Sequence, residues 1–306
     1  MSAAVIDIII HLLLALLMPP LVLGVINRTK ALFAGRNGAP LLQPYYDICR
    51  LLRKGSVFSQ ASTAVFRLGP LVTLGATLVA LLLVPFGQHQ APVSFSGDMI
   101  LFAYLFALGR FFTTAAAMDT ASSFEGMGAA REVTFGCLAE PTLFFVLVTL
   151  SRVSGSLSLS DMFSSVSFEL WLREGAPLLL LTGALFIVLL AENCRIPFDD
   201  PNTHLELTMI HEVMVLDHSG PGFAVALYAA ALKLYAFGAL LIHLVFPFTT
   251  GNHLLDWVSF TFLMLLLGTA IGIVESVTAR FRMVKVPQIL VMATILSAFS
   301  ALLVMR

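Results

Sequence analysis

Arg110, Glu132, Glu140, Glu192, Lys233 and Glu275 each lie in a stretch that is otherwise apolar, and Asp119 and Arg131 stand at the edge of another. A charged side chain inside a membrane span costs roughly 2.5–3.5 kcal/mol on insertion scales, so a chain that keeps several has a use for them. Carboxylates are groups that can take up and release protons. Burial favours their protonated form and a nearby lysine or arginine favours the charged one, and together these influences can make such a group loadable near neutral pH. Glu132 and Glu140 are eight residues apart, which on a helix is about 80° of rotation and roughly 12 Å of rise. Two carboxylates so placed can serve as successive stations of a proton path where water connects them. The other reading is that Glu, Lys and Arg pair across helices as structural ties, although the abundant Gly, Ala, Ser and Thr would suffice for packing alone. Pro141, directly after Glu140, removes a backbone donor; it either opens the helix to water there or is a proline tolerated near a helix end.

Other chemistry finds little support. Cys49, Cys137 and Cys194 are far apart, with no Cys-x-x-Cys pair, which argues against a disulfide framework, a zinc ribbon or an iron–sulfur cluster and leaves them as buried apolar thiols. His204 and His211 are two helical turns apart with Thr208 between them, too far for one metal at the usual four-residue spacing, and read better as a polar docking stripe. His211-Glu212-Val213-Met214-Val215 lacks the second histidine of a zinc-protease helix, and Asp199-Asp200 reads as a turn. There is no Gly-x-Ser-x-Gly, phosphate loop or dinucleotide fingerprint. Neither a catalytic residue nor a metal ligand is expected in this chain.

The elements that hold these charges follow from composition. Of 306 residues 58% are hydrophobic and 11% charged, with a mean hydropathy of +0.94; soluble domains carry about 25% charged residues. A soluble domain, a disordered chain and a nucleic-acid binder are excluded. With 17 basic and 18 acidic side chains no global field recruits a partner. A bilayer core about 30 Å thick needs roughly 20 apolar helical residues per span. Eight segments qualify, approximately 3–26, 68–87, 98–118, 133–152, 176–193, 222–246, 254–275 and 287–305. The expectation is an all-α polytopic transmembrane helix bundle forming a single membrane domain over 1–306. The first segment lacks a basic start and contains Asp7, His11, Pro19 and Pro20, unlike a cleavable signal. Assigning connections alternately puts twelve basic residues on one side, from Arg28 to Lys285, and only Arg152, Arg173 and Arg306 on the other. The positive-inside rule then places both termini outside, in the inner (cytoplasmic) membrane.

Two cytoplasmic segments stand out. In the first, 28–67, Leu41, Tyr45, Ile48 and Leu52 recur at helical spacing opposite Asp47, Arg50 and Lys54, which predicts an amphipathic helix against lipid headgroups or under a partner protein. In the second, 194–221, Thr203 and Glu206 fit a capping box and Ser219-Gly220-Pro221-Gly222 forms a turn, which predicts a short helix over 204–216 used for docking.

Several motifs carry a resemblance. Met118-Asp119-Thr120-Ala121-Ser122-Ser123-Phe124, then Gly128-Ala129-Ala130-Arg131-Glu132 and Glu140-Pro141, are similar to a pattern of the membrane subunits of group 4 hydrogenases, formate hydrogenlyase subunit 4 and hydrogenase-4 component C. These are relatives of complex I subunit 1. Gln43-Pro44-Tyr45-Tyr46-Asp47-Ile48, Ala191-Glu192-Asn193-Cys194-Arg195-Ile196-Pro197-Phe198-Asp199 and Glu275-Ser276-Val277-Thr278-Ala279-Arg280-Phe281-Arg282 extend the resemblance over nearly the whole chain.

The resemblance implies a membrane subunit with no redox centre of its own. Its cytoplasmic loops cradle an iron–sulfur small subunit and a large hydrogenase-like catalytic subunit, which carry iron–sulfur clusters with or without nickel–iron. Its carboxylates begin a polar path toward antiporter-like membrane subunits. By position, Asp119, Glu132, Glu140, Glu192, Lys233 and Glu275 fall on that path. Arg36, Tyr46, Asp47, Arg131, Arg195, Asp199, Glu206, His211 and Asp217 fall at the docking junction. After Pro197-Phe198-Asp199 the family continues Pro/Ala-Glu-Ala-Glu, whereas this chain has Pro201-Asn202-Thr203-His204. The departure speaks against a quinone cavity like that of complex I. Two other functions are kept beside this one, the quinone-binding membrane subunit of a respiratory NADH dehydrogenase and a stand-alone secondary ion transporter.

Overall fold

The computed structural model describes residues 3–199, 209–247 and 251–305. Those residues form α1 (Ala3–Phe33), α2 (Gln43–Leu52), α3 (Ala64–Leu83), α4 (Asp98–Asp119), α5 (Ser123–Ser154), the short α6 (Leu159–Ser164) and α7 (Phe168–Arg173), α8 (Gly175–Glu192), a 3₁₀ turn (Glu212–Val215), α9 (Gly220–Val245), α10 (His253–Val277) and α11 (Lys285–Val304). Among the described residues there is no strand. Eight of the helices, α1, α3, α4, α5, α8, α9, α10 and α11, are long and apolar enough to cross a bilayer. They match the eight expected segments one for one, and the chain is a multi-pass membrane protein. Helix is forced there, since hydrocarbon offers a backbone N–H no partner outside its own segment.

The largest difference in length is in α5. Its 32 residues begin at Ser123, ten before the expected edge, and span about 48 Å, more than a bilayer core. Glu125, Arg131 and Glu132 precede the expected edge at 133, but they sit on helix that packs on the 3₁₀ turn. Met209, Val213 and Met214 meet Ala117 and Ala129 there in a small second core.

The most completely buried span is α9; around it lie α1, α2, α3, α8 and α10, while α3 pairs with α4 and α11 lies against α5 and α8. Exposed rows such as Val258, Phe262 and Leu266 on α10 and Ile295, Phe299 and Leu302 on α11 are the lipid-facing stripes of such a bundle. Successive spans alternate in direction, so segments 34–63, 193–199, 209–219 and 278–284 share one face, here called the loop face. α2 forms as its pattern predicts and packs on α1 and α9. Pro20 in α1 cannot donate to the Leu16 carbonyl one turn back; the Tyr228 hydroxyl of α9 donates to it instead, at 2.8 Å.

In the second loop segment the expected helix over 204–216 does not form where it is described. Within 209–216 the only helical element is the 3₁₀ turn Glu212–Val215, and the backbone of Ile210 ahead of it donates to Asp199 at 2.8 Å. Residues 200–208, including Thr203, His204 and Glu206, lie outside the described residues. Of the three cysteines expected to be buried, Cys194 is buried, but Cys49 and Cys137 are exposed, on the outer sides of α2 and α5.

Candidate functional site

Arg110, midway along α4, draws the site together. One face of α5 presents Glu132, Gly136 and Glu140 at four-residue intervals, and the Arg110 guanidinium lies across it. It donates to Glu140 and, from its other terminal nitrogen, to Glu192 at the end of α8. Its Nε is 3.6 Å from Glu132. A Cβ at Gly136 would stand 2.4–2.7 Å from three guanidinium atoms, so a glycine is what lets the fork lie flat between the two glutamates. Lys233 of α9 closes the cluster, 2.7 Å from the second oxygen of Glu192. Three carboxylates thus share two cations.

α8 is the shortest of the eight spans, 18 residues or about 27 Å, and it ends at Glu192 because the chain turns there. Cys194 N bonds Ala191 O and Arg195 N bonds Leu190 O, at 3.1 and 2.8 Å, with Cys194 in the left-handed region at φ 47°. This is a Schellman end built on a residue other than glycine. The following Arg195, Ile196, Pro197, Phe198 and Asp199 are buried although not helical. Buried irregular backbone needs partners for its polar groups from the surrounding protein; Phe281 N, for one, bonds Pro197 O at 2.8 Å.

This buried turn organises a second set of charges. Arg195 is 3.5 Å and Lys30 of α1 is 2.8 Å from Glu275 of α10. Asp199 accepts from Arg280 at 2.7 Å. Cys194 Sγ is 3.9 Å from Glu132, and burial pushes its thiol pKa well above the ordinary value. Beside it His211 is held below its ordinary pKa by burial, with Glu132 acting in the opposite sense.

Two cavities adjoin here. One of about 60 Å³ is bounded by Arg110, Glu132, Glu192, Lys233, His211 and by Thr73, Thr77 and Thr113 among apolar residues, with room for about four waters. The other, about 570 Å³, runs from Asn193, Cys194, Arg195, Asp199 and His211 to Asp47 and Ile48 of α2 and Phe223 of α9. Asn193 and His211 line both.

Of the residues singled out in the sequence for a proton path, Glu132, Glu140, Glu192 and Lys233 come together. Glu275 lies in the neighbouring set. Asp119 stands apart: its carboxylate accepts from Thr63 and Phe66 N–H groups at 2.6 and 3.2 Å and caps α3. Of the docking residues, Asp47, Arg195, Asp199 and His211 line the large cavity. Arg131 donates to Met209 O at 2.8 Å, and Asp217 N donates to Glu125 at 3.0 Å. Arg36 and Tyr46 are exposed on the loop face, and Glu206 is outside the described residues. Sequence reasoning missed Gly136, Lys30 and the threonine wall. The Glu-x-x-x-Gly-x-x-x-Glu spacing was a usable signal for the first; nothing local marks the others.

Comparison with known proteins places the whole chain in a family. The NADH dehydrogenase family profile matches residues 6–306. The chain is 32% identical over 288 residues to formate hydrogenlyase subunit 4 of Escherichia coli (strain K12), covering 92% of each. It is 33% identical over 239 residues to hydrogenase-4 component C of the same organism, covering 78% of this chain and 74% of that one. Against NADH-ubiquinone oxidoreductase chain 1 of Arabidopsis thaliana it is 29% identical over 218 residues, 67% of this chain and 65% of the relative. The fold is shared with a chain of the membrane-bound sulfane sulfur reductase, an archaeal respiratory membrane complex, with a TM-score of 0.83 at 20% identity over 99% of this chain and all of that one. By profile and by sequence similarity, the chain belongs to the NADH dehydrogenase family, in its complex I subunit 1 type.

Proposed function

We propose that this chain is the membrane anchor and proton-coupling subunit of a membrane-bound hydrogenase or related complex-I-like oxidoreductase in the inner membrane. Its loop face is cytoplasmic, as the excess of basic residues there favours. On that face segments 28–67 and 194–221 dock an iron–sulfur small subunit and a large catalytic subunit, and the lipid-level flanks meet antiporter-like subunits. Electron transfer belongs to those partners and their iron–sulfur clusters.

The observation that carries the reading is the shared fork of Arg110 between Glu132, Glu140 and Glu192, with Lys233 behind it. One carboxylate exceeds the cations, so the cluster becomes neutral by taking up one proton. The small cavity at the cluster has a mostly apolar wall into which Arg110, Glu132, Glu192, Lys233 and His211 are set, and the large one leads to α2 and the buried turn, where a docked partner would press. A shift in that turn moves Glu192 relative to its two cations and so changes which carboxylate holds the proton.

The test is Glu140→Gln and Glu192→Gln in the assembled complex, read by mass spectrometry of the co-purifying subunits and by ion-coupled turnover in membrane vesicles. Loss of coupling with assembly retained is expected for at least one. Both variants retaining assembly and coupling would remove the proton path. Purification with no iron–sulfur partner would remove the anchoring role.

The size of the large cavity favours a second reading, quinone binding. At about 570 Å³ it falls in the range of small-molecule sites, with Leu23, Ile48, Phe223, Leu227 and Leu234 as apolar wall and Arg195, Asp199 and His211 at one end. Cross-linking of a photoreactive quinone to α2 or α9 supports this reading; unlabelled protein counts against it.

A further inference from the structure

On the face opposite the loops, three segments distant in sequence converge. Asp7 lies in the second turn of α1, His89 in the connection between α3 and α4, and His253 is the first residue of α10. One ligand atom from each lies within 4.8 Å of the others. Asp7 Oδ1 is 3.7 Å from His89 Nδ1, and Asp7 Oδ2 is 3.8 Å from His253 Nδ1. Both separations are too long for hydrogen bonds. They are close to the roughly 3.4 Å between donor atoms that tetrahedral geometry gives at metal–ligand distances of about 2.0–2.1 Å.

The surroundings fix two of the three groups. Trp257 Nε1 donates to Asp7 Oδ1 at 3.2 Å, and its ring stacks on His89 with centroids 4.2 Å apart and planes within 4°. His89 is buried, while the His253 side chain is 72% exposed and so is free to swing the last few tenths of an ångström. Positive helix ends would repel a cation, but Asp7 and the buried Asp256, in the first turn of α10, offset those of α1 and α10.

We propose that Asp7, His89 and His253 form a zinc site with a fourth position open to water. Two imidazoles and one carboxylate suit a borderline transition ion, whereas calcium and magnesium take oxygen ligands. An ion there ties α1, the α3–α4 connection and α10 together. α1 and α10 also carry the Lys30–Glu275 pair near their other ends, so the ion clasps across the membrane the same two helices that hold a buried charge pair. The site is independent of Glu132, Cys194 and His211, a second group with ligand spacing that borders the proton cluster.

The experiment uses the full chain in detergent, free of any histidine tag and stripped with a chelator, titrated with zinc sulfate by calorimetry and with cobalt(II) by absorption. One ion per chain is expected, with a rise in melting temperature and cobalt d–d bands lacking thiolate charge transfer. Asp7→Asn and His253→Ala each weaken binding at least about tenfold, while Cys194→Ser leaves it unchanged. His253 is exposed, so its variant folds. The proposal is overturned if no ion binds, if His253→Ala binds as tightly as the parent, or if thiolate charge transfer appears and Cys194→Ser abolishes binding.

Discussion

Arg110 lies against the bare backbone of Gly136, with guanidinium atoms 2.4–2.7 Å from where a Cβ would stand. An alanine there would have to displace a group held by carboxylates from two helices.

Gly136→Ala is therefore expected to reverse the usual helix preference. In an exposed helix alanine is favoured by about 1 kcal/mol; here overpacking costs about 1–3 kcal/mol. Thermal melts of the purified chain should show a loss of stability. A gain would mean that Arg110 has room elsewhere and is not fixed between Glu132 and Glu140.

Glu192 and Glu140 should differ when each is changed to glutamine. The Glu192 side chain is 6% exposed and meets both Arg110 and Lys233, whereas Glu140 is 40% exposed and meets Arg110 alone. Glu192→Gln leaves Lys233 without its buried counter-charge, which costs about 3–5 kcal/mol; Glu140→Gln costs about 1 kcal/mol or less. Denaturation of the two variants side by side checks the order. Equal losses would place Lys233 in water.

The Tyr228 hydroxyl and Pro20 should be coupled through the Leu16 carbonyl. Tyr228→Phe alone is expected to cost about 1 kcal/mol. With Pro20→Ala in the background, residue 20 regains an N–H for that carbonyl and the same change costs less. A double-mutant cycle measures the difference, and strict additivity would show that the hydroxyl does not replace the missing donor.

His218 should make stability fall in mild acid. It stacks on Phe66 with centroids 4.0 Å apart, and burial lowers its pKa from 6.5 to about 4, with Asp217 acting the other way. The unfolded chain takes the proton first, so the stabilisation is full above pH 6.5, is lost as pH falls toward about 4 and then levels off. Partial exposure limits it to about 1–2 kcal/mol. His218→Phe keeps the stack and should flatten that part of the pH–stability curve; an unchanged curve would assign the dependence to other groups.

The spans were legible because membrane insertion is a bulk property: eight apolar stretches between charged connections admit one architecture, and the amphipathic spacing of 41–54 gave α2. The residues of the cluster were legible too, since a charge inside lipid is conspicuous by type. The part of the expected 204–216 helix that is described, 209–216, was not, because Asp199 holds Ile210 N and short-range periodicity could not anticipate that bond. Nor could sequence distinguish the buried Cys194 from Cys49 and Cys137, since a thiol suits lipid, water or protein.

The sequence by itself determined that this is an eight-span membrane protein, which side of it is basic, and that Glu132 and Glu140 lie about 80° apart on one helix face. Only tertiary structure decided what stands opposite that face. Arg110 and Glu192 are 82 residues apart, and Lys30 meets Glu275 across nearly the whole chain. Local periodicity fixes the direction in which a side chain leaves its own helix. The partner it meets depends on how the helices pack, which is set by small residues such as Gly136 and by buried turns such as that at Cys194.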